Sequence, residues 1–483
     1  MKKTIHFLLL ASLAAQLLTS CGSESPGVDT TAASTTSDKA ETSAAGYDYP
    51  AYDGKGEVFT IFNSSNSWSF YTTMDLEETT GDSLDDAVYN RNRNIEERFN
   101  IVFEVVEEDM WDGWEAYQTG ILSGDYIYDV GFIPSTYLGT FITEGYLYNL
   151  LDYPEFRLDS DYYDQSVNQA SRIGSEKIQY FASAYTSLSS IDGALGIFFN
   201  EDMLEDLSLD TPYQAVRDGK WTLDMMGQYI KAGTNLNGDD SFTWDEAGSA
   251  LYGLTSQKSG YSELITGGGV QLITINNGTP AFSVGERFYN VLDKLDSIFA
   301  DEGAMLTQNS SNANSHYETI FKNGRALFVL AELKASSKYR DMNDNYGVVP
   351  APKYDEAQED YYTYRTRYEL MLTVPVTNPD PERAGIIMDA MAYQSYTDIL
   401  PIYYDYRVSQ KQLRNEESIE MLDIIRRTMI FDIGFSFGWT AELTDKIGEA
   451  IAERSGGYAT IAAEYESSIR QKITSTMEEL ANE

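Results

Sequence analysis

The sequence IQYFASAYTSLSSIDGALGIFFNEDMLEDLSLDTPYQAVRDGKWTLDMMGQYIK, residues 178–231, decides the fold of this chain. Its two apolar runs, IQYF and ALGIFF, predict two strands separated by a polar and aromatic loop at residues 182–192. Thr222 follows Trp221 and is placed to cap a helix whose apolar face carries Leu223, Met226 and Ile230. Because only a loop joins the two strands, the stretch predicts a passage of the chain from one lobe to another.

Strands and helices alternate before this stretch. Residues 57–62, 101–106 and 128–133 predict strands, and helices are expected from Ser83 and over residues 110–122. Such alternation predicts a parallel sheet with right-handed crossovers, in which ligands bind beyond the carboxyl ends of the strands. Asn63, Trp68 and Ser135 follow two of these strands, so we expect them to lie on one rim.

The second half of the chain continues the α/β pattern. We predict a strand at residues 252–255, a hairpin turn at Asn276-Asn277-Gly278, a helix over 286–300 and a strand that ends near Leu330. Residues 346–349 are a short apolar run before Pro350 and Pro352, and residues 362–374 alternate like one long strand. Three helices are expected after residue 416, and an aromatic loop that ends at Trp439 lies between the first two.

Residues 235–246 partly match an EF-hand calcium loop. Asn235, Asn237, Asp239, Thr243 and Glu246 occupy its positions 1, 3, 5, 9 and 12. Asp240 stands where the loop requires Gly, and acidic loops that contain Gly are common turns. Whether this loop binds calcium stays open, and no metal or other cofactor is predicted.

Composition excludes several classes of function. The chain has 34 basic and 76 acidic residues, so its net charge of −42 makes nucleic acid and anionic lipid poor partners. Cys21 is the only cysteine, which leaves no intrachain disulfide and no multi-thiolate metal site. His316 is the only histidine outside the leader, so Ser-His-Asp, Cys-His and zinc-histidine chemistry would all depend on it. Binding is therefore favoured over catalysis.

The N-terminus predicts a lipoprotein leader. Lys2 and Lys3 precede an apolar segment, residues 5–18, that is short for a membrane span. The run Leu18-Thr19-Ser20-Cys21 resembles a bacterial lipobox, in which cleavage leaves the cysteine lipid-modified. Residues 22–54 are rich in Ser, Thr, Ala and Asp and predict a disordered tether.

Several of these features, in the same order, resemble the family 1 extracellular solute-binding proteins, the sugar-binding subunits of ABC importers. The matching runs are Phe199-Asn200-Glu201-Asp202, Thr211-Pro212, Trp221-Thr222, Tyr128-Asp129-Val130 and Gly145-Tyr146-Leu147. The resemblance covers nearly everything from Val58 onward.

The resemblance implies a two-lobed α/β periplasmic-binding-protein-like fold of type II. Three crossovers are expected at the hinge, at residues 182–192, 330–332 and 365–370. The expected organisation is a lipoprotein signal peptide (1–20), the lipid-modified Cys21, a tether (22–54), an N-terminal lobe (55–190 plus 333–367) and a C-terminal lobe (191–332 plus 368–483).

The implied function is that of a membrane-anchored extracellular subunit of an ABC importer, which captures a mono- or oligosaccharide and delivers it to permease subunits. A monomer is expected, held at the outer face of a bacterial membrane by its lipid anchor alone. Because sugar rings stack on aromatic side chains and their hydroxyls need polar partners, the ligand-binding residues are expected to be those at strand ends, crossovers and the aromatic loop. They are Asn63, Trp68, Ser135, Tyr185, Asp192, Glu332, Arg367 and Trp439.

Alternatives remain at the level of residues and of function. Trp68 and Trp439 could equally be packing residues, and the spacing of Trp111 and Trp114 favours a core-facing helix side over a sugar platform. A glycosidase or lyase would use paired carboxylates, which a chain with 76 acidic residues readily offers. A glycan-binding surface lipoprotein is the third class.

Overall fold

Two five-stranded sheets organise the body of the molecule. The computed structural model describes residues 46–65, 70–175, 177–242, 248–307, 316–409 and 415–481, without the side chains of 306–307 and 407–409. The described residues from Tyr49 onward form one compact unit. Its strands are β1 (Glu57–Ser65), β2 (Ile101–Asp109), β3 (Val130–Pro134), β4 (Phe181–Ala182), β5 (Leu195–Asn200), β6 (Tyr252–Gln257), β7 (Ile273–Asn276), β8 (Thr279–Phe282), β9 (Ala304–Thr307), β10 (Ala326–Glu332), β11 (Tyr346–Val349), β12 (Thr363–Tyr364), β13 (Leu370–Thr373) and β14 (Met429–Ile430).

The helices cover and connect these sheets. They are α1 (Ser83–Phe99), α2 (Gly113–Leu122), α3 (Leu138–Thr143), α4 (Gln165–Ser171), α5 (Ser189–Asp192), α6 (Glu201–Asp206), α7 (Tyr213–Arg217), α8 (Leu223–Gly233), α9 (Tyr261–Gly267), α10 (Glu286–Phe299), α11 (His316–Lys322), α12 (Ser336–Tyr339), α13 (Pro381–Gln394), α14 (Leu400–Ser409), α15 (Glu416–Arg427), α16 (Ala441–Ala452) and α17 (Tyr458–Leu480). None of the described helices is long and apolar enough to cross a membrane.

Each sheet belongs to one lobe. In lobe 1 the order is β2-β1-β3-β13-β4, with β1, β2 and β3 parallel and β13 antiparallel to both of its neighbours. In lobe 2 the order is β11-β5-β10-β6-β9, with β10, β6 and β9 parallel and β5 antiparallel to β10. The predicted two-lobed α/β fold is confirmed.

Local signals explain where several elements begin and end. Asp82 caps α1 by accepting the N–H groups of Leu84 and Asp85, and the predicted cap Thr222 accepts the N–H of Met225 at the start of α8. Asn277 and Gly278 both have positive φ, 51° and 82°, which forms the predicted two-residue turn between β7 and β8. These elements follow from local chemistry alone.

The path of the chain between the lobes corrects the sequence prediction. The chain passes from β4 to β5, as expected, but it does not return to lobe 1 at residues 330–332. Strand β11 pairs with β5, so residues 333–364 stay with lobe 2, whereas β13 joins the sheet of lobe 1. Helix α13 packs on α1, and α15 packs on β11, so the chain returns to lobe 2 between α14 and α15. The predicted assignments of 333–367 and of the first part of 368–483 were therefore reversed.

Residues 362–374 do not form one strand. Strand β12 pairs with β14, β13 pairs with β3, and a turn at residues 365–369 separates them. The alternation reflects two short strands in different lobes with the lobe connection between them. An alternating pattern predicts which faces are buried and cannot show that the pairing partner changes.

Two further predictions concern the ends of ordered segments. The predicted tether, residues 22–54, extends too far, because Tyr49 and Tyr52 pack on Phe99 with ring centroids 6.3 and 6.2 Å apart.

In the loop at 235–246, Thr243 and Glu246 lie outside the described residues, and Asp239 accepts the N–H groups of Ser249 and Ala250. Within the described ranges, no group of three acidic, His or Cys side chains could hold a metal ion.

Candidate functional site: a cleft between the lobes

The end of β3 fixes the connection that crosses between the lobes. The Ser135 N–H donates to the Glu369 carbonyl and its Oγ to the Arg367 carbonyl, both at 2.8 Å. The Thr136 N–H also donates to the Arg367 carbonyl, at 2.9 Å. Ser135 and Thr136 directly follow the carboxyl end of β3, and ligands of open α/β sheets bind beyond such strand ends. These hydrogen bonds fix the backbone of residues 365–369, which connect the lobes, to the end of β3.

Four aromatic rings pack in two pairs next to the end of β3 and the connection at residues 365–369; we call Trp111, Trp114, Tyr137 and Tyr368 the aromatic wall. Trp111 contacts Tyr368 edge-on, with centroids 4.7 Å apart, and Trp114 stacks on Tyr137 at 4.9 Å. Trp111 remains 37% exposed, and Tyr137 and Tyr368 are half-buried. Rings that are held by each other and still reach solvent are suited to stacking on the C–H face of a ligand.

Lobe 2 supplies most of the lining of a cavity next to this connection. The Tyr364 ring lies edge-on to Phe435, with centroids 5.8 Å apart. A cavity of about 50 Å³ lies between this pair and lobe 1, and its lining includes Ser135, Tyr261, Arg367 and Asp432. Ligand pockets usually have volumes of about 300–1,000 Å³. This cavity is therefore smaller than an ordinary ligand pocket in the arrangement seen here.

Among the described residues that line the cavity, Asp432 is the one with a carboxylate side chain. Its Oδ2 accepts the N–H groups of Leu272 and Ile273 at 2.9 and 3.0 Å, and its Oδ1 accepts the N–H of Gly434 at 2.9 Å. Burial raises the pKa of Asp432 to about 6, although these three hydrogen bonds oppose the shift. The side chain therefore changes charge close to neutral pH.

Direct contacts between the lobes hold the gap closed. The Gly139 N–H of lobe 1 donates to the Ser436 carbonyl of lobe 2 at 3.0 Å. A Cβ on Gly139 would lie 2.6 Å from that carbonyl oxygen, so this approach needs glycine. On another face, the Gly174 N–H donates to the Gly278 carbonyl at the tip of the β7–β8 hairpin, at 2.8 Å. Lys334, which pairs with Glu332 at 2.7 Å, places its ammonium 4.3 Å from the Phe70 ring centre.

A buried ion network stabilises the connection itself. Arg365 is 4% exposed, and its guanidinium lies 2.7 Å from Asp164 and 2.9 Å from Glu369. The Ser183 hydroxyl donates to the second Glu369 oxygen at 2.7 Å, which links the β4–β5 passage to the same network. Burial alone would raise the pKa of Asp164, and the Arg365 charge holds it below its usual value. The β4–β5 connection and the connection at residues 365–369 are thus linked by this network of ion pairs and hydrogen bonds.

The predicted ligand residues fall into two groups. Ser135 and Arg367 line the cavity, and Glu332 ends β10 in its pair with Lys334. Asn63, Tyr185 and Asp192 are buried and hydrogen-bonded to protein atoms. The Asn63 amide donates to the Thr72 carbonyl, the Tyr185 hydroxyl accepts from Arg426, and Asp192 accepts from the Tyr71 N–H and the Tyr403 hydroxyl. None of these three lines the cavity.

Trp439 does not serve as a stacking platform in this structure. It is 1% exposed, its ring stacks on Phe437 at 4.7 Å, and its Nε1 donates to Thr476 in α17. The Trp439 ring lies in the core of lobe 2, where Phe437 packs on its face and Thr476 accepts its N–H. In this arrangement the Trp439 ring is not accessible to a ligand, and Trp68 and Cys21 lie outside the described residues.

The aromatic wall is the part of the site that the sequence did not reveal. Trp111 and Trp114 were assigned to one helix, but α2 begins at Gly113, so Trp111 precedes it and points elsewhere. Tyr368 lies in the turn between β12 and β13, which the alternating pattern concealed. The two halves of the wall come from segments more than 200 residues apart, and local periodicity carries no information about such contacts.

Comparison with known proteins identifies the fold. No protein-family model matches the sequence, and no curated protein matches it either. A cyclo/maltodextrin-binding protein, complexed with maltotetraose, is 14% identical with a TM-score of 0.59 over 87% of this chain and 98% of its own. The galacto-N-biose/lacto-N-biose I-binding protein of a Bifidobacterium longum ABC transporter, complexed with lacto-N-biose, is 14% identical with a TM-score of 0.58, over 88% and 98%.

A third structure of the same kind is the maltose-binding periplasmic protein of Listeria monocytogenes in complex with maltose. It is 16% identical with a TM-score of 0.56, over 87% of this chain and 98% of its own. All three are binding proteins for sugars, not enzymes. The predicted resemblance is confirmed at the level of the fold: the chain has the two-lobed α/β architecture of sugar-binding ABC-transporter solute-binding proteins.

Proposed function

We propose that this protein is the extracellular substrate-binding subunit of an ABC importer and that it captures a saccharide between its lobes. The observation that supports this most is the cavity that Ser135 and Arg367 line together with polar groups of lobe 2, next to the Tyr368 ring of the aromatic wall. Stacking on Trp111 and Tyr368 would supply affinity, and Ser135, Glu332, Arg367 and Asp432 would select among hydroxyl patterns.

The proposed mechanism is capture by hinge closure. Because the cavity of about 50 Å³ is too small for a sugar, the lobes open about the two connections tied by Arg365 and close again on the ligand. Closure remakes contacts such as Gly139 to Ser436 and shields the ligand from water. The closed form would then deliver the unchanged solute to permease subunits.

The saccharide function is tested by a thermal-shift screen of the protein against mono- and oligosaccharides. A ligand at about 100 times its Kd stabilises the folded state by about 2.7 kcal/mol, so a specific ligand is readily detected. Hits are then titrated calorimetrically, and the ligand is recovered after prolonged incubation and analysed by mass spectrometry. Recovery of the unchanged ligand supports binding for transport; a hydrolysed or eliminated product would instead establish the glycosidase or lyase alternative.

Membrane attachment through Cys21 belongs to the same proposal. The leader and lipobox of residues 1–21 support it, and the chain would be held at the outer face of the membrane by this anchor alone. Cys21→Ala should move the protein from the membrane fraction to the soluble fraction. Retention of the variant in the membrane at the wild-type level would exclude the lipid anchor and leave the saccharide function untouched.

A further inference from the structure

Arg367 has an unusual position among the charged side chains around the cavity. Its backbone is fixed by Ser135 and Thr136 of lobe 1, and its half-buried side chain lines the cavity. The guanidinium carbon lies 5.4 Å from the Tyr368 ring centre, and Tyr364 lines the same cavity. The immediate surroundings of this cation are therefore phenol rings, which carry no charge at neutral pH.

Within the described part of the chain, no carboxylate oxygen lies within the 4.0 Å ion-pair distance of the Arg367 guanidinium. The nearby acids are otherwise engaged. Glu332 is paired with Lys334 at 2.7 Å, and Asp432 accepts three backbone N–H groups. The cause of the Asp432 pKa shift is burial, opposed by those hydrogen bonds and not by Arg367. Asp445, the other acid that acts on Arg367, is exposed on α16.

A cation in this position costs free energy until it finds a counter-charge. Desolvation of a charged group is expensive unless the group is paired and hydrogen-bonded. Closure of the lobes removes water from Arg367, so the cost is largest in the state that holds the ligand. The planar guanidinium matches a carboxylate with two parallel hydrogen bonds, which a neutral hydroxyl pair reproduces with less energy.

We propose that the solute is an acidic saccharide, a sugar with a uronate carboxylate, and that Arg367 binds this carboxylate while Tyr368 and Trp111 stack on the ring. This inference rests on the proposed saccharide function. The carboxylate supplies the missing counter-charge in the closed state. Arg367 thereby discriminates uronates from the corresponding neutral sugars, whose hydroxymethyl group leaves the guanidinium unpaired.

The test uses matched pairs of ligands and matched arginine variants. Glucose, galactose and mannose and their short oligomers are each compared with the corresponding uronates by calorimetric titration of the full-length protein without its leader. Arg367→Gln removes the cation. Arg367→Lys keeps the charge but removes the planar guanidinium that donates two parallel hydrogen bonds. Arg217→Gln is the control. Arg217 lies on α7 and pairs with Glu417 and Glu420, away from the cavity.

We expect a uronate to bind at least tenfold more tightly than its neutral counterpart. Arg367→Gln should weaken uronate binding by at least about thirtyfold and abolish the preference, since it removes one partner of a desolvated charge pair. Arg367→Lys should lie between the two, and Arg217→Gln should match the wild type. Unchanged melting temperatures of the variants show that the loss is one of binding.

Three results overturn the proposal. If neutral sugars bind as tightly as uronates, or only neutral sugars bind, Arg367 contacts hydroxyl groups and the acidic-saccharide inference is wrong, while the saccharide function stands. If no member of either series binds, the inference and the saccharide function both fail. Equal losses for both members of a pair in Arg367→Gln would likewise exclude a carboxylate contact.

Discussion

Arg365 and Arg367 lie two residues apart in the same connection between the lobes, and their surroundings differ completely. Arg365 is buried and contacts Asp164 and Glu369 at 2.7 and 2.9 Å. Arg367 is half-buried in the cavity, beside Tyr368 and with no carboxylate of the described residues at ion-pair distance. An extended strand would place positions two apart on the same face, but the chain turns at residues 365–369, and both side chains reach the cavity lining with different neighbours.

The difference separates a structural role from a binding role within a single turn. The charge of Arg365 is satisfied by the protein itself, so this residue stabilises the connection in every state. The charge of Arg367 has no carboxylate at ion-pair distance among the described residues, which is the basis of its proposed binding role. The same distinction holds for the two tryptophans, since Trp439 has its ring and N–H fully engaged whereas Trp111 stays 37% exposed.

The same substitution at both arginines gives the largest predicted contrast. Arg365→Gln leaves two buried carboxylates without their cation and should lower the free energy of unfolding by about 3–5 kcal/mol. Arg367→Gln removes a cation that has no carboxylate of the described residues at ion-pair distance, and it should change the free energy of unfolding by about 1 kcal/mol or less. Urea denaturation of the two variants and the wild type measures both values, and equal losses would contradict the assignment of different roles.

Asp432 is the third charged group next to the connection, and its protonation tests the electrostatics of the cavity. Its folded-state pKa of about 6 lies above the ordinary value of 3.8, so the folded protein binds this proton more tightly than the unfolded chain. The corresponding stability is fully present below about pH 4 and is lost as the pH rises to about 6. The contribution of Asp432 to the free energy of unfolding that is lost in this way is on the order of 3 kcal/mol.

Comparison with Asp432→Asn isolates this contribution from the other carboxylates. Between pH 4 and pH 7 the wild type should lose stability relative to the variant, which cannot titrate at this position. Denaturation midpoints measured across this range provide the test. Parallel pH profiles, or a wild type that gains stability relative to the variant, would show that Asp432 is not desolvated as described.

The two tryptophans allow the same comparison for ligand affinity. Trp111→Ala should weaken saccharide binding by about 2 kcal/mol, roughly thirtyfold in Kd, because a stacked ring in a closed cleft is removed. Trp439→Phe should lower the melting temperature through the lost contact with Thr476 and leave the Kd unchanged. Calorimetric titration of both variants settles the roles, and a Kd that responds to Trp439 alone would reverse them.

Gly139 tests lobe closure with the smallest expected effect. Gly139→Ala places a Cβ 2.6 Å from the Ser436 carbonyl oxygen and should hinder closure, with a loss of affinity of about tenfold, or ~1.4 kcal/mol. The matched control is Gly285→Ala, since a Cβ there meets no atom within 4 Å. Small-angle scattering with saturating ligand should show a larger radius of gyration for Gly139→Ala alone. Identical compaction of both variants would mean that this contact does not limit closure.

Local patterns predicted the elements of the fold better than the path between them. The cap at Thr222, the turn at Asn277-Gly278 and the passage before β5 each follow from a few adjacent residues. The lobe to which β11 and β13 belong depends on strand partners far away in sequence, and their short apolar runs are equally compatible with either sheet.

The candidate site was predictable only where it coincides with a strand end. Ser135 follows β3 directly and Arg367 follows β12 within a few residues, so both could be predicted from the sequence, and both line the cavity. Asn63 and Asp192 also lie at strand or passage ends, but each found a protein partner there instead of a ligand. Residue type and position cannot distinguish a polar group that faces the gap from one satisfied within the protein, because that depends on the neighbouring segments.

The central claim, that a saccharide binds between the lobes, is tested most directly by a crystal structure of the protein with the tightest ligand from the screen. We expect the sugar between the lobes, with its ring against Trp111 and Tyr368 and an acidic group on Arg367. A sugar bound at another surface, with the cleft empty and Gly139 still hydrogen-bonded to Ser436, would contradict it.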